Sequence, residues 1–237
     1  MKPLRVLVTG ASSGLGKALA VQLAREGHSL FLTGRDQKRL GEASDNCKGA
    51  KDVFKGLGDV AAEADVARLY SEAVEKLGGI DVAVLNAGVG RHGNIEDISV
   101  EDFDLQFNTN VRGVFLWLKH ILPHMKSRKS GQIIVTSSVA GEKAGPGKGI
   151  YSATKHAVQG MIEALRGELR GTGVKAARIL PAAIATEWWA GPAGKGNPLP
   201  KNALTPDDVA AAILTIVNQS PTSDIDRIII SNASPAK

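Results

Sequence analysis

The chain has 237 residues, 43% of them hydrophobic and 22% charged, with a formal net charge of +5. This composition supplies a substantial core and excludes a disordered chain, and the mild, scattered excess of Lys and Arg falls short of a nucleic-acid footprint. The single cysteine, Cys47, excludes an internal disulfide and a cysteine-based zinc cluster. No run reaches the ~18 apolar residues of a membrane span, and the N-terminus lacks the apolar core of a leader. The expectation is a cytoplasmic protein with no metal, no membrane contact and no nucleic-acid partner.

Leu4-Arg5-Val6-Leu7-Val8-Thr9 reads as a strand running into a glycine-rich turn, Gly10-Ala11-Ser12-Ser13-Gly14-Leu15-Gly16. Leu15, Ala18, Leu19, Leu23 and Ala24 then recur at helical spacing up to Gly27. Strand, glycine turn and helix can place a phosphate at a helix N-terminus, where backbone N–H groups and the helix dipole favour negative charge. Glycine turns before helices are also plain structure, so this segment alone does not decide. Ser29–Thr33 reads as a second strand, followed by Gly34-Arg35-Asp36. In dinucleotide folds the end of that strand meets the adenosine ribose, and an arginine there suits the 2'-phosphate of NADP over the 2'-hydroxyl of NAD. Arg35 is so placed, and Asp36 reads as a helix N-cap.

Val53–Leu57 is a weaker third strand before Gly58-Asp59-Val60. Val66, Leu69, Tyr70, Ala73, Val74 and Leu77 mark a helix closed by Gly78-Gly79. The nearly continuous apolar run Ile80–Leu85 fits a strand buried on both faces, and it ends in Asn86-Ala87-Gly88. Strand and helix alternate, which predicts a parallel sheet with right-handed crossovers. Residues 101–126 read as one long helix, long enough to bury part of its surface against a second subunit. Lys126, Arg128 and Lys129 read as its end. Gln132–Thr136 is a strand ending in Ser137-Ser138.

After another glycine-rich loop comes a helix opening Gly149-Ile150-Tyr151-Ser152-Ala153-Thr154-Lys155. Tyr151 and Lys155, four residues apart, share one helical face with a rise of roughly 6 Å between them. An ammonium beside a phenol favours the phenolate, which would make the tyrosine a usable acid and base. The same spacing also describes two solvent-facing side chains. Val174–Leu180 is a sixth strand stopped by Pro181. Residues 182–204, rich in Gly, Pro and Asn and carrying Trp188-Trp189, read as a long loop of the kind that covers substrates. Thr205-Pro206-Asp207-Asp208 reads as a helix start with Pro at the first position, and Ile228-Ile229-Ile230 as a last strand. No repeat or linker divides the chain, so residues 1–237 are expected to form one domain.

Taken in order, Thr9–Gly16, Asp59-Val60, Asn86-Ala87-Gly88, Asn110, Ser138 and Tyr151–Lys155 resemble the motifs of the short-chain dehydrogenase/reductase family, in its compact single-domain branch. The resemblance spans nearly the whole chain. It implies an α/β fold, a doubly wound, mostly parallel seven-stranded sheet with helices on both faces. It also implies an NADP(H)-dependent oxidoreductase, NADP(H) preferred over NAD(H), that interconverts a carbonyl and a secondary or primary alcohol. Tyr151 would be the general acid and base, and Lys155 would lower its pKa and hold the nicotinamide ribose. Ser138 would donate to the substrate oxygen, and Asn110 would bend its helix and position a water in a relay to Lys155. Gly10, Ser12, Ser13, Gly14, Leu15 and Gly16 would admit the pyrophosphate. Asp59 and Val60 would meet adenine, and Asn86, Ala87 and Gly88 the adenosine ribose. Pro181, Ile184 and Thr186 would lie along the nicotinamide end.

Three departures stand out. Leu85 precedes the Asn-Ala-Gly where the family often has Asn, and Pro181-Ala182 replaces Pro-Gly. The C-terminus lacks the glycine-rich segment of fatty-acid-synthesis ketoreductases, and its Asp224–Ile230 ending looks closer to relatives acting on small hydroxy acids or other small polar alcohols. His92, Glu142, Trp188 and Trp189 are candidate substrate contacts. A homodimer or homotetramer is expected through the helices at 101–126 and 151–170. The rival readings are a catalytically silent NADP-binding sensor or scaffold of the same fold, and a dehydratase or epimerase.

Overall fold

The computed structural model describes residues 2–191, 194 and 198–233 of the chain. Among them, seven strands form one sheet: β1 (Arg5–Val8), β2 (Ser29–Gly34), β3 (Asp52–Leu57), β4 (Val82–Leu85), β5 (Gly131–Thr136), β6 (Val174–Pro181) and β7 (Arg227–Ile230). Their order is β3-β2-β1-β4-β5-β6-β7, and every neighbouring pair is parallel, not merely most of them. The order reverses between β1 and β4, which opens a crevice at the strands' carboxyl ends.

Side-chain alternation along the strands builds two cores. Val6, Val8, Leu30, Leu32 and Val84 face α1 (Gly14–Arg25) and α7 (Pro206–Val217), while Leu7, Phe31, Ala83 and Ile133 face the other layer. That layer consists of α3 (Glu63–Leu77), α5 (Gly113–Arg128) and α6 (Gly149–Glu168). α7 is tied to α1 at both ends, by Gln22 Nε2 to Asp207 Oδ1 at 2.8 Å and by Asn218 Nδ2 to Glu26 Oε2 at 3.1 Å.

The local end signals are met. Asp36 caps α2 (Gln37–Asp45) by accepting from the Arg39 N–H at 3.0 Å, and Thr205 and Asp208 form a reciprocal capping box with Pro206 at the first helical position. α5 ends at Lys129 in left-handed conformation, so the basic cluster does mark a helix end. The long helix expected over 101–126 is not continuous. α4 (Val100–Phe107) passes through a π-turn at Asn108–Arg112 into α5, because Asn110 is drawn out of helical register by partners described below. Residues 182–204 are not wholly irregular: a 3₁₀ turn spans Glu187–Ala190, and Ile184 bridges Leu204 in parallel sense. Positions 192, 193 and 195–197 of that loop lie outside the described residues. Among the described residues no helix is long and apolar enough to cross a membrane.

Candidate active site

A cleft of about 380 Å³ runs over the carboxyl ends of the strands, from Arg35 after β2 to Tyr151 at the start of α6. Its floor is the glycine turn between β1 and α1. Gly10 has φ +65°, and a methyl added to it would lie 2.8 Å from the Ala87 Cα; one added to Gly16 would lie 2.2 Å from the Gly10 carbonyl oxygen. Only bare backbone fits such an approach, and while the Ala11 N–H is committed to the Thr33 carbonyl at 2.9 Å, the N-terminus of α1, which no side chain caps, is left to face an anion. Thr9 locks the neighbouring turn in place: its Oγ1 accepts from the N–H groups of Asn86 at 2.9 Å and Ala87 at 3.1 Å. The Asn86 side chain is committed to the same joint, with Nδ2 donating to the Thr9 carbonyl at 3.2 Å and Oδ1 accepting from Thr136 Oγ1 at 3.3 Å.

At the far end from Tyr151, Arg35 is exposed and lies 3.6 Å from Asp59, whose other oxygen accepts from the Ala61 N–H at 2.9 Å. Ser12, Ser13 and Arg39 line the same corner. Gly34 there makes room for Ser12, since a methyl on it would lie 3.1 Å from that side chain.

At the other end, Ser138 leaves β5 with its Oγ donating to the Pro181 carbonyl at 3.3 Å and accepting from the Ala140 N–H at 3.1 Å. Tyr151 is half-buried and Lys155 buried, one turn on along α6. Lys155 Nζ donates to the Thr136 carbonyl at 3.0 Å and stands 5.7 Å from the centre of the Tyr151 ring. Burial pushes the Tyr151 phenol up to about 12, against a hydrogen bond with Ser138 that pulls it down, and burial lowers the Lys155 ammonium to about 8. The depression of the phenol's pKa expected from Lys155 is therefore not seen here. Desolvation outweighs a cation held on a carbonyl oxygen. At neutral pH the tyrosine is a phenol, fit to donate a proton, beside a lysine that is still mostly charged.

Asn110 stands behind this group. Its Oδ1 accepts from the Val89 N–H at 2.8 Å, and its Nδ2 donates to the Val89 carbonyl at 2.8 Å and to Thr154 Oγ1 at 3.0 Å. Thr154 in turn donates to the Tyr151 carbonyl at 2.7 Å. A side chain that must reach the loop after β4 and α6 at once accounts for the π-turn that carries it.

The cleft brings together Gly10, Ser12, Ser13, Gly14, Leu15, Arg35, Asp59, Val60, Asn86, Ala87, Gly88, Ser138, Tyr151, Lys155, Pro181, Ile184 and Thr186. Gly16 and Asn110 do not line it; Gly16 packs the turn, and Asn110 holds the wall. His92, Trp188 and Trp189 do line it. Glu142 does not: it is exposed and pairs with Arg227 at 2.5 Å. Thr9 stood at the head of the glycine motif but was given no role of its own, and Thr136 and Gly90 were not singled out from sequence. Thr9 had a signal, a hydroxyl at a strand end just before a glycine turn. Gly90 had none. Among the described residues no three His, Cys, Asp or Glu side chains are grouped to hold a metal ion.

Residues 5–192 match the family of short chain dehydrogenases. An uncharacterized oxidoreductase of Listeria innocua is 32% identical over 234 residues, covering 95% of this chain and 94% of the relative. The structure of an alcohol dehydrogenase from Thermococcus sibiricus, complexed with 5-hydroxy-NADP, superposes with a TM-score of 0.88 at 29% identity and covers 98% of each chain. A 3-ketoacyl-(acyl-carrier-protein) reductase from Brucella melitensis, complexed with NADH, superposes with a TM-score of 0.87 at 27% identity, covering 96% of each. Glycine cradle, crevice, Ser138–Tyr151–Lys155 group and these likenesses agree: the chain belongs to the short-chain dehydrogenase/reductase family of oxidoreductases.

Proposed function

We propose that the protein is an NADP(H)-dependent oxidoreductase that interconverts a carbonyl and a secondary or primary alcohol. The observation that carries this reading is the single cleft joining a cationic corner at Arg35, a glycine cradle and the Ser138–Tyr151–Lys155 group. The residues fit the cofactor: Gly10 and Gly16 leave the uncapped N-terminus of α1 open to a pyrophosphate, and Arg35 and Arg39, with Ser12 and Ser13, form a corner suited to a 2'-phosphate. Similar structures are complexed with an NADP derivative in one case and NADH in another, so Arg35 and Arg39 are what favour the phosphorylated form here. When bound, the cofactor supplies or receives the hydride at the carbon.

The chain's own groups handle the oxygen. In reduction Tyr151 gives its phenolic proton to the carbonyl oxygen, and in oxidation the phenolate takes it back. Ser138 donates to the same oxygen as negative charge develops there. Lys155 supplies positive charge beside the phenolate, and Asn110 keeps the loop after β4 and α6 in register. The segment 182–204 covers the substrate and excludes water.

The reading includes a second copy of the chain docked through α4, α5 and α6, for which Phe103 (40% exposed) and Phe115 (52% exposed) offer apolar surface. It also keeps the cytosol as the compartment, where Cys47 stays a buried thiol.

In the decisive experiment, Tyr151→Phe lowers kcat by about a thousandfold, while NADPH binding, followed by nucleotide fluorescence, stays nearly unchanged. In the same titration Arg35→Ala weakens NADPH by about tenfold and NADH far less. Full turnover in Tyr151→Phe would remove the tyrosine from its role, and equal losses for both nucleotides would remove the 2'-phosphate assignment.

A further inference from the structure

The ring of Tyr151 is held between two others. His92, from the loop after β4, meets it edge-on with centroids 5.7 Å apart and planes at 75°, and Trp188 meets it at 5.7 Å and 73°. Trp188 has a seat prepared for it. Gly90 is buried, and a methyl added there would lie 2.4 Å from Trp188 Cζ2 and 3.2 Å from Cε2 and Cη2. Those are atoms of a rigid indole, so nothing at the far end of a flexible chain could give way; the ring would have to leave.

The turn that carries Trp188 is fastened on either side. Trp189 Nε1 donates to the Ile184 carbonyl at 2.7 Å, and Glu187 pairs with Arg39 of α2 at 2.9 Å. The indole is thus held by its seat, by its ring contact with Tyr151 and by the hydrogen bond of the neighbouring Trp189. It is a wall of the cleft beside the tyrosine, not a side chain resting on the surface.

We infer that Gly90 and Trp188 together set an upper limit on substrate size. Seated on Gly90, the indole closes one side of the approach to Tyr151, so that a compact carbonyl compound, with no more than about one six-membered ring attached, reaches the phenol. Gly90 is a positioning residue that acts only through the indole it admits. The inference rests on the proposed role of Tyr151 in carbonyl reduction.

The test uses NADPH oxidation with butanone, cyclohexanone and 2-acetonaphthone. In the wild type, kcat/KM for 2-acetonaphthone falls well below that for the two smaller ketones. Trp188→Ala raises the ratio of 2-acetonaphthone to cyclohexanone by about tenfold or more, and Trp188→Phe raises it less. Gly90→Ala moves the ratio the same way by displacing the indole. In the double variant Gly90→Ala adds nothing to Trp188→Ala, which is the signature of one residue acting through the other. NADPH affinity, measured separately by fluorescence, is the same in every variant.

A ratio unchanged by Trp188→Ala, or a wild type that reduces 2-acetonaphthone as readily as cyclohexanone, would overturn the size limit while leaving the carbonyl reductase reading intact. Full additivity in the double variant would remove Gly90 from it. A wild type that binds NADPH but reduces none of the three would take away the reductase reading and the size limit together.

Discussion

At the amino ends of β1 and β4, Arg5 and Arg128 close on Asp81: Arg5 Nε at 2.8 Å from Oδ2, and the two guanidinium groups at 2.5 and 2.9 Å from Oδ1. At the carboxyl ends of the same sheet, Lys155 is buried with a carbonyl oxygen for its hydrogen bond and a neutral phenol beside it. Burial acts on both groups, and the outcomes are opposite. Burial works against ionised Asp81, yet the hydrogen bonds from Arg5 and Arg128 hold its carboxyl well below the usual carboxylate range. Lys155 has no such counter-charge, so burial lowers it to about 8. One end of the sheet pairs its charges, and the other keeps a charge under-compensated in the candidate active site.

That contrast can be broken by mutation. The largest effect is expected from Lys155→Met. The native pKa of Lys155 is lowered, so between pH 8 and the ordinary lysine range the unfolded chain binds more protons than the native one. Wild-type stability in urea should therefore rise with pH across that window, by about 3 kcal/mol at most, and carry the full burial cost below it. In Lys155→Met the rise disappears, and at pH 7 the variant is at least as stable as the wild type; a clear loss of stability there would mean that the lysine is well compensated. Above pH 10 the Tyr151 phenol, raised to about 12, works in the other direction, since its burial resists ionisation and stability falls as pH increases.

Asp81→Asn should cost about 2 kcal/mol at pH 7, because two guanidinium groups lose their common partner. The sign is again opposite to that of Lys155. A depressed carboxylate pKa contributes stability above the ordinary carboxylate range and loses it as pH falls, so the difference between wild type and variant should vanish in acid. A gap that persists under acid unfolding would assign the effect to packing. The smallest effect belongs to Glu142→Gln, whose exposed pairing with Arg227 is worth about 0.5 kcal/mol or less. Its kcat/KM should equal the wild type's, and a change would return Glu142 to the cleft.

What could be read from the residues was what is written locally. The Gly10–Gly16 turn, the Asp36 cap and the Thr205 capping box each lie within a few residues of their partners, so their chemistry is visible in one window. Periodicity did not show the π-turn, because Phe107 and Val111 keep helical spacing across it; only the family resemblance implied a bend at Asn110, and what extracts that residue is a backbone 21 residues away. Asn86 lines the cleft, and the commitment of its amide to Thr9 and Thr136 is a joint between three strands that no window contains. Glu142 finds Arg227 at a separation of 85 residues, and Gly90 finds Trp188 across the cleft. Long-range packing decides these cases, and periodicity carries no record of it.

The parallel bridge between Ile184 and Leu204 gives the segment between them a closed base. Beneath it β6 runs into the sheet, and beyond it α7 is fastened to α1. A loop whose two ends are pinned side by side can change in length or composition at little thermodynamic expense, since doubling it adds only about 0.6 kcal/mol of closure entropy. The hydrogen bond that seats Lys155 on the Thr136 carbonyl is made outside the loop, whereas the Trp188 wall beside Tyr151 belongs to it. This is an architecture open to grafting: a different segment could be spliced between positions 184 and 204, by evolution or by an engineer, and reshape that side of the cleft.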